Sequence, residues 1–298
     1  MLNKVDKIID NFLFDLENDR ILKLYKEISS GKKLRAKLIL KIAGDTEDAC
    51  FLAAIVEMIQ IASLLHDDVI DDSNTRRGRS SINAIFGNKT AIMLGDILYS
   101  KAFYELNSLP NEVSKIISNS VTKLSIGELL DVELSNKFNP DKDKYFDMIY
   151  KKTASLIEAS SYAAAYIGKK DTHKFALYGK NLGLAFQIID DILDITMDSK
   201  TLGKPALSDF KEGKTTLPYI FLYEVLSEEE KKKLISFFKK MLNTEEKEWI
   251  LYKMKEYNVI KKSLLIVEEF AKSALLSIRE YKNYDLEKII TDMIEREY

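Results

Sequence analysis

Apolar side chains recur every three or four residues along almost the whole chain, and that period admits little but helices. Val5, Ile8, Ile9, Phe12, Leu13 and Leu16 form one stripe with Asp, Asn, Lys and Glu opposite, the mark of an amphipathic helix. The same pattern predicts helices over 34–43, 47–72, 89–107, 112–135, 144–167, 171–197, 216–225, 228–241, 244–256, 259–280 and 284–297. No run alternates apolar and polar residues with β-branched enrichment, so strands are expected to be few or absent. Helix breakers are scarce: 11 Gly and 4 Pro make up about 5% of the 298 residues, against roughly 12% in average usage. They fall between the periodic segments, at Ser29-Ser30-Gly31, in the polar basic stretch 73–81, at Pro110 and Pro140, and in the longest break, 198–214. A break of that length inside a compact domain is usually functional or disordered. No repeat or Pro/Gly/Ser-rich linker divides the chain, so one all-α domain over 1–298 is expected.

The charge balance narrows the partners. Lys and Arg number 45 against 47 Asp and Glu, a net charge of −2, so no global basic field is available for nucleic acid. A single cysteine, Cys50, rules out an intramolecular disulfide and fits a reducing compartment. It lies in the apolar stretch 49–54 and is expected to be a small buried residue, not a reactive thiol. The first twenty residues are interrupted by charge every few positions, unlike a signal peptide. No uninterrupted apolar stretch approaches 18 residues, so no membrane span is expected. On these grounds the expected location is cytoplasmic.

Two acidic clusters break the apolar faces. Asp67-Asp68-Val69-Ile70-Asp71, with Asp72 behind it, comes after the apolar run 61–65, and Asp190-Asp191-Ile192-Leu193-Asp194 after 182–189. On a helix, positions i and i+4 lie about 5–6 Å apart at Cβ. Carboxylates stacked in that way repel unless a cation sits between them. Oxygen-only ligands point to Mg²⁺, not zinc, and Mg²⁺ takes one or two carboxylates and fills its other positions with water and phosphate oxygens. One such cluster is more often a solvated face; two of them, each continuing a buried run, favour a site for a phosphorylated ligand.

Cations are placed to answer that ligand. Gly31-Lys32-Lys33-Leu34-Arg35 opens a helix, where free N–H groups and the dipole assist anion binding. Arg76 and Arg77 come one short loop after the first acidic cluster; Lys152-Thr153 lies on a helix with Ile149, Leu156 and Ile157; Lys204, Lys211 and Lys214 belong to the long break. Arg suits bidentate phosphate contact and Lys acts as a point charge. Taken singly, Gly-Lys-x-x-Arg is equally a charged first turn, 73–81 a solvated connector, and Lys211 a solvated side chain. His66, beside Asp67, is expected to support the carboxylates, and His173 to lie on the surface. Gln60 is either a satisfied buried amide or a substrate contact.

Assembled, these residues resemble the trans-polyprenyl diphosphate synthases over nearly the whole chain. Residues 66–78, HisAspAspValIleAspAspSerAsnThrArgArgGly, are similar to that family's first aspartate-rich motif with its trailing Arg pair, and 186–194, PheGlnIleIleAspAspIleLeuAsp, to its second. Gly-Lys-x-x-Arg at 31–35, Lys-Thr at 152–153, and Gly-Lys-Pro with Asp-x-x-Glu-Gly-Lys-x-Thr-Leu-Pro within 203–218 complete the set. The resemblance implies an isoprenoid synthase fold, an antiparallel helical bundle around a central cavity, and a homodimer. It implies that Asp67, Asp71 and Asp190, supported by Asp68, Asp191 and Asp194, bind three Mg²⁺ against an allylic diphosphate. Arg76, Lys152, Thr153, Gln187, Lys204 and Lys214 would contact that diphosphate, and Lys32, Arg35 and Arg77 would hold isopentenyl diphosphate. Gln60 stands where the family often has His, Ser30 where a second Gly is common, Ala36 where Pro is common, and Asp131 where Gln is frequent; Gly127-Glu128 matches.

The implied chemistry is ionisation of an allylic diphosphate, attack by the alkene of isopentenyl diphosphate, and proton loss to the released diphosphate, with metals and Lys/Arg neutralising the leaving group. Water must be excluded, which gives the segment 198–214 a reason to close over the site. Ala62 and Ser63, one turn before Asp67, are small where short-chain members carry a bulky aromatic, so a long-chain, about octaprenyl product is expected, of the kind used for quinone side chains. Such a product implies transient membrane contact on release. The structural alternative is that small residues there let helices pack closely. Competing expectations are a geranylgeranyl or farnesyl diphosphate synthase, a class I terpene cyclase, which would not need the Gly31–Arg35 and Arg77 groups, and a non-catalytic partner subunit, which would be expected to lose one aspartate motif.

Overall fold

The computed structural model describes residues 1–29, 31–196 and 207–295, and they are almost wholly helical. Strand is confined, among the described residues, to the antiparallel pair β1 (Thr75–Arg76) and β2 (Arg79–Ser80). Arg77 and Gly78 between them have φ of 53° and 73°, the two left-handed residues that a tight hairpin turn matching strand twist demands. The chain divides into two compact units: Met1–Val121 with Glu158–Ala176, and Thr122–Ile157 with Leu177–Tyr298.

In the first unit α1 (Leu2–Phe14), α2 (Asp19–Glu27), α3 (Leu34–Ala43) and α4 (Glu47–Ile70) are followed by α5 (Ile82–Phe86) and α6 (Asn88–Leu106). Helix α4 is the centre: it packs on α1, α3 and α6, and Leu52 to Ile59 are buried without a break. A helix apolar on every side must be surrounded. By length and composition alone it could cross a membrane, yet most of it is buried within the protein. Thr46 caps it, its Oγ1 accepting from Ala49 N at 3.2 Å, and Glu47 and Asp48 favour the positive end of the helix. Helix α2 was not expected from periodicity because it buries only Leu24; Asn18 starts it by accepting from Arg20 N and Ile21 N. Cys50 is buried as expected, its thiol 3.3 Å from Asp45 Oδ1 and pushed up by burial.

Helices α7 (Asn111–Leu134), α9 (Ser155–Ile167) and α10 (Thr172–Thr196) are each divided between the units, after Val121, Ile157 and Ala176. The second unit adds α8 (Lys142–Ile149), α11 (Ser208–Glu212), α12 (Leu217–Val225), α13 (Glu228–Phe237), α14 (Thr244–Glu256), α15 (Val259–Ile278) and α16 (Tyr284–Ile294). Helix α12 packs on α8, α14 and α15. Capping boxes Ser227/Glu230 and Asn243/Glu246 open α13 and α14.

The helix expected over 144–167 is interrupted. Between α8 and α9 the backbone widens into a π-turn, Tyr150–Ala154. Two glycines flank it. A Cβ on Gly127 of α7 would lie 2.2 Å from Lys152 N, and one on Gly183 of α10 would lie 2.6 Å from Ala154 Cα. The widened turn fits only because both neighbours lack a side chain, and such turns inside α-helices are frequent at functional sites.

Candidate active site

In the first unit the acidic cluster ends α4. Asp67 and Asp71 are half-buried, and Asp71 closes the helix, its N–H donating to Asp67 O at 2.8 Å. Asp68 turns inward and is 4% exposed. Arg76 of β1 meets it from the hairpin, with Nε 2.8 Å and Nη2 2.6 Å from Asp68 Oδ1. Burial raises the Asp68 carboxyl above the usual range, and Arg76 opposes that shift. Asn83 of α5 ties the turn shut by donating to Asp68 O and Ser73 O. The stretch 73–81 is therefore a built hairpin that carries Arg76 to the aspartates.

Arg77 points elsewhere, donating from Nη1 to Ser29 O at 2.9 Å. Its guanidinium lies against Gly31, where a Cβ would come 2.7 Å from Nη2, so a side chain at that glycine would make the Arg77 guanidinium shift. Glu57, inside the apolar run of α4, is 7% exposed and its Oε1 accepts from Ala36 N, in the first turn of α3, at 3.0 Å. Burial pushes the Glu57 carboxyl up, while the Ala36 N–H, Arg35, Lys33 and Arg77 pull the other way. Arg35 and Arg77 are thus gathered near one buried carboxylate. Lys32 is exposed beside them in sequence, and Gln60 stands one turn along α4 from Glu57, its Oε1 buried without a hydrogen-bond partner among the described residues. An orphaned acceptor there suits a donor brought by ligand or water.

His66 does not support the carboxylates. Its Nε2 lies 3.1 Å from Ile92 O and 3.5 Å from Asp96 Oδ1, both on α6. One residue before Asp67 is about 100° around the helix, which explains the different direction. His173 is exposed, as expected. Ala62 and Ser63 are both buried, and Ser63 Oγ donates within its own helix to Gln60 O.

In the second unit Lys152, Thr153, Gln187, Asp191 and Lys214 line one cavity of about 120 Å³, together with Tyr145, Asp131 and Asp209, enough space for several waters or a small polar group. Lys152 Nζ lies 2.5 Å from Asp131 Oδ2 and 2.9 Å from Glu128 Oε2. Thr153 Oγ1 donates to Gln187 Oε1 at 2.7 Å, and Gln187 Nε2 donates to Asp191 Oδ1 at 2.9 Å. Asp191 is 3% exposed, and burial, then the charge of Asp209, raises its carboxyl well above the usual range. Lys214 Nζ pairs with Glu212 at 2.9 Å. Asp190 is half-buried. Asp194 instead holds the start of α11: its Oδ1 accepts from Ser208 Oγ at 2.6 Å and its Oδ2 from Asp209 N at 3.1 Å. Lys204 lies outside the described residues, as does most of the break 198–214.

Sequence reasoning missed Glu57 and Tyr145. Each had a faint signal: Glu57 is a carboxylate inside an unbroken apolar run, and Tyr145 lies one helical turn before Ile149, on the side expected to be buried. The acidic side chains present suit a hard, oxygen-seeking cation. Among the described residues no three His, Cys, Asp or Glu side chains form a cage, the situation in which Mg²⁺ leans on one or two carboxylates and on phosphate oxygens.

Comparison with known proteins is consistent across sequence and structure. The family described as polyprenyl synthetase matches residues 18–254. Octaprenyl pyrophosphate synthase from Helicobacter pylori matches with a TM-score of 0.95 at 46% identity, covering 99% of this chain and 98% of that one. A polyprenyl synthase from Caulobacter crescentus, crystallised with calcium and isoprenyl diphosphate, gives 0.89 at 28% identity, covering 100% and 95%. A short chain isoprenyl diphosphate synthase of Methanothermobacter thermautotrophicus is 36% identical over 245 residues, 78% of this chain and 75% of its own length. On these matches the chain belongs to the polyprenyl synthetase family and is a trans-prenyl diphosphate synthase, a prenyltransferase of isoprenoid biosynthesis.

Proposed function

We propose that this synthase adds isopentenyl diphosphate units to an allylic diphosphate in the presence of Mg²⁺ and releases a long-chain, about octaprenyl, trans-polyprenyl diphosphate of a kind suited to quinone side chains. The observation that carries the length is the pair Ala62 and Ser63, small and buried in the turn of α4 before Asp67. No bulky side chain stands at those two positions to stop a growing tail. The similarity to an octaprenyl synthase over 99% of the chain supports the same reading. The short-chain relative favours a second one, in which a farnesyl or geranylgeranyl product is released.

Asp67, Asp71 and Asp190 are the residues that would hold Mg²⁺, and a relative crystallised with calcium and isoprenyl diphosphate supports the use of a divalent cation. When bound, Mg²⁺ neutralises diphosphate charge as the allylic C–O bond breaks. Lys152, Lys214 and Arg76 supply further positive charge to the leaving group. Lys152 is already fixed by Glu128 and Asp131, so little reorganisation accompanies the step. Thr153 and Gln187 turn oxygen atoms toward the electron-poor allylic carbon. Arg35, Arg77 and Lys32 hold the second diphosphate while its alkene forms the new C–C bond. The proton lost from the adjacent carbon passes to the released diphosphate.

Product analysis tests the proposal. Purified protein given labelled isopentenyl diphosphate, farnesyl diphosphate and Mg²⁺ is expected to yield mainly long chains on chromatography, and Ala62→Tyr to shift the mixture to short ones. Short products from the native protein would favour the second reading, and an unchanged mixture from Ala62→Tyr would remove the argument from Ala62.

A further inference from the structure

Tyr145 has no assigned part in the reaction, yet it is among the most enclosed side chains at the cavity. Its ring, on α8, is 2% exposed, and its hydroxyl donates to Asp191 Oδ2 at 2.5 Å. Asp191 Oδ1 accepts from Gln187 Nε2 at 2.9 Å, and Gln187 Oε1 accepts from Thr153 Oγ1 at 2.7 Å. Four side chains from α8, the π-turn and α10 thus form one directed relay, and all four line the same cavity.

The direction matters because an amide is nearly symmetrical in shape, and only its neighbours decide which end faces where. With a donor on each of its oxygens, Asp191 accepts from both sides, so the NH₂ end of Gln187 faces it. The carbonyl end must then face Thr153, which commits its single proton to that bond. The Thr153 hydroxyl oxygen is left with lone pairs beside the cavity. Remove the Tyr145 hydroxyl and Asp191 has one oxygen open to water or a proton, and the amide loses the partner that fixes it.

We propose that Tyr145 is a positioning residue for prenyl transfer: through Asp191 it locks the Gln187 amide so that the Gln187 and Thr153 oxygens face an electron-poor allylic carbon. This rests on the proposed prenyl-transfer reading of the site. Such a lock acts on the chemical step and not on diphosphate binding. The Tyr145 proton is committed to Asp191, whereas the cations for the diphosphate are held by other groups, Lys152 by Glu128 and Asp131 and Lys214 by Glu212.

A double-mutant cycle on the full chain tests it, with turnover measured under Mg²⁺, isopentenyl diphosphate and an allylic diphosphate. Tyr145→Phe is expected to lower kcat about tenfold, a change of about 1.4 kcal/mol, with KM for both substrates within twofold of native. In a Gln187→Ala background the same substitution should cost less than twofold, since the amide it positions is gone. Native kcat in Tyr145→Phe, or an equal loss in both backgrounds, would overturn the proposal. If Tyr145→Phe does not fold, Tyr145→Leu, which also removes the hydroxyl, takes its place in the cycle with the same two expectations and the same overturning results. Native protein that does not turn over at all would overturn the functional reading and this proposal with it, whereas an active native protein with an active Tyr145→Phe overturns only the proposal.

Discussion

Glu57 shows what a single buried charge does here. Its carboxylate takes the Ala36 N–H at the start of α3 and lies near Arg35 and Arg77, yet burial outweighs those partners and its carboxyl is raised above the ordinary 4.5. A raised value means the folded chain holds that proton more tightly than the unfolded one. This group therefore favours folding most at or below pH 4.5, and the benefit is lost as pH rises through the raised value. Glu57→Gln keeps an oxygen for Ala36 N–H and cannot ionise. Its stability relative to native is expected to climb as pH goes from about 4.5 to 7.5 in paired urea titrations; a pH-independent difference would count against this account. The aspartates and basic residues were legible in sequence because charge inside apolar periodicity is conspicuous. Glu57 was passed over because one carboxylate in a long apolar helix gives no pattern, and Tyr145 because an aromatic on a buried face looks like ordinary core.

At the level of elements, periodicity located α3 at Leu34–Ala43 and placed α4, α6, α7 and α10 within one or two residues at their ends. It missed α2 and α5, which bury too little to leave a stripe, and it ran α8 and α9 together. The interruption is set by tertiary packing: the apolar period continues through Ile149, Ala154 and Ile157, and only the closeness of Gly127 and Gly183 reveals the widened backbone. Gly127→Ala would place a methyl 2.2 Å from Lys152 N and 2.6 Å from Lys152 Cα, backbone atoms that cannot swing aside. A loss of roughly 1–3 kcal/mol is expected from such overpacking, read by urea unfolding, with turnover falling further than stability because Lys152 moves. A variant as stable and active as native would show that the approach is looser than the geometry indicates.

Over the whole chain, net charge is −2, so two diphosphates are drawn to a protein with no long-range positive field. Local cations and metal must do that work. Mg²⁺ is expected to bind weakly to the protein alone and more tightly once inorganic pyrophosphate is added, since phosphate oxygens complete its coordination. Titration calorimetry with and without pyrophosphate measures this; tight binding to the bare protein would argue for a preformed cage. Chelation should abolish turnover while leaving the melting temperature nearly unchanged. Fold class was readable from sequence because helices this continuous leave no other architecture, whereas Lys204 and the break around it lie outside the described residues.

The widened turn at Tyr150–Ala154 sets durability against performance. Excising one residue between Ile149 and Ser155 would let the helix run on in regular form, with better-aligned backbone bonds. It would also rotate α8 by about 100° relative to α9, carrying Lys152 out of register with Glu128 and Asp131. A regular helix would be the sturdier arrangement here, so the wide turn is where the backbone gives up regularity to hold Lys152 beside Glu128 and Asp131.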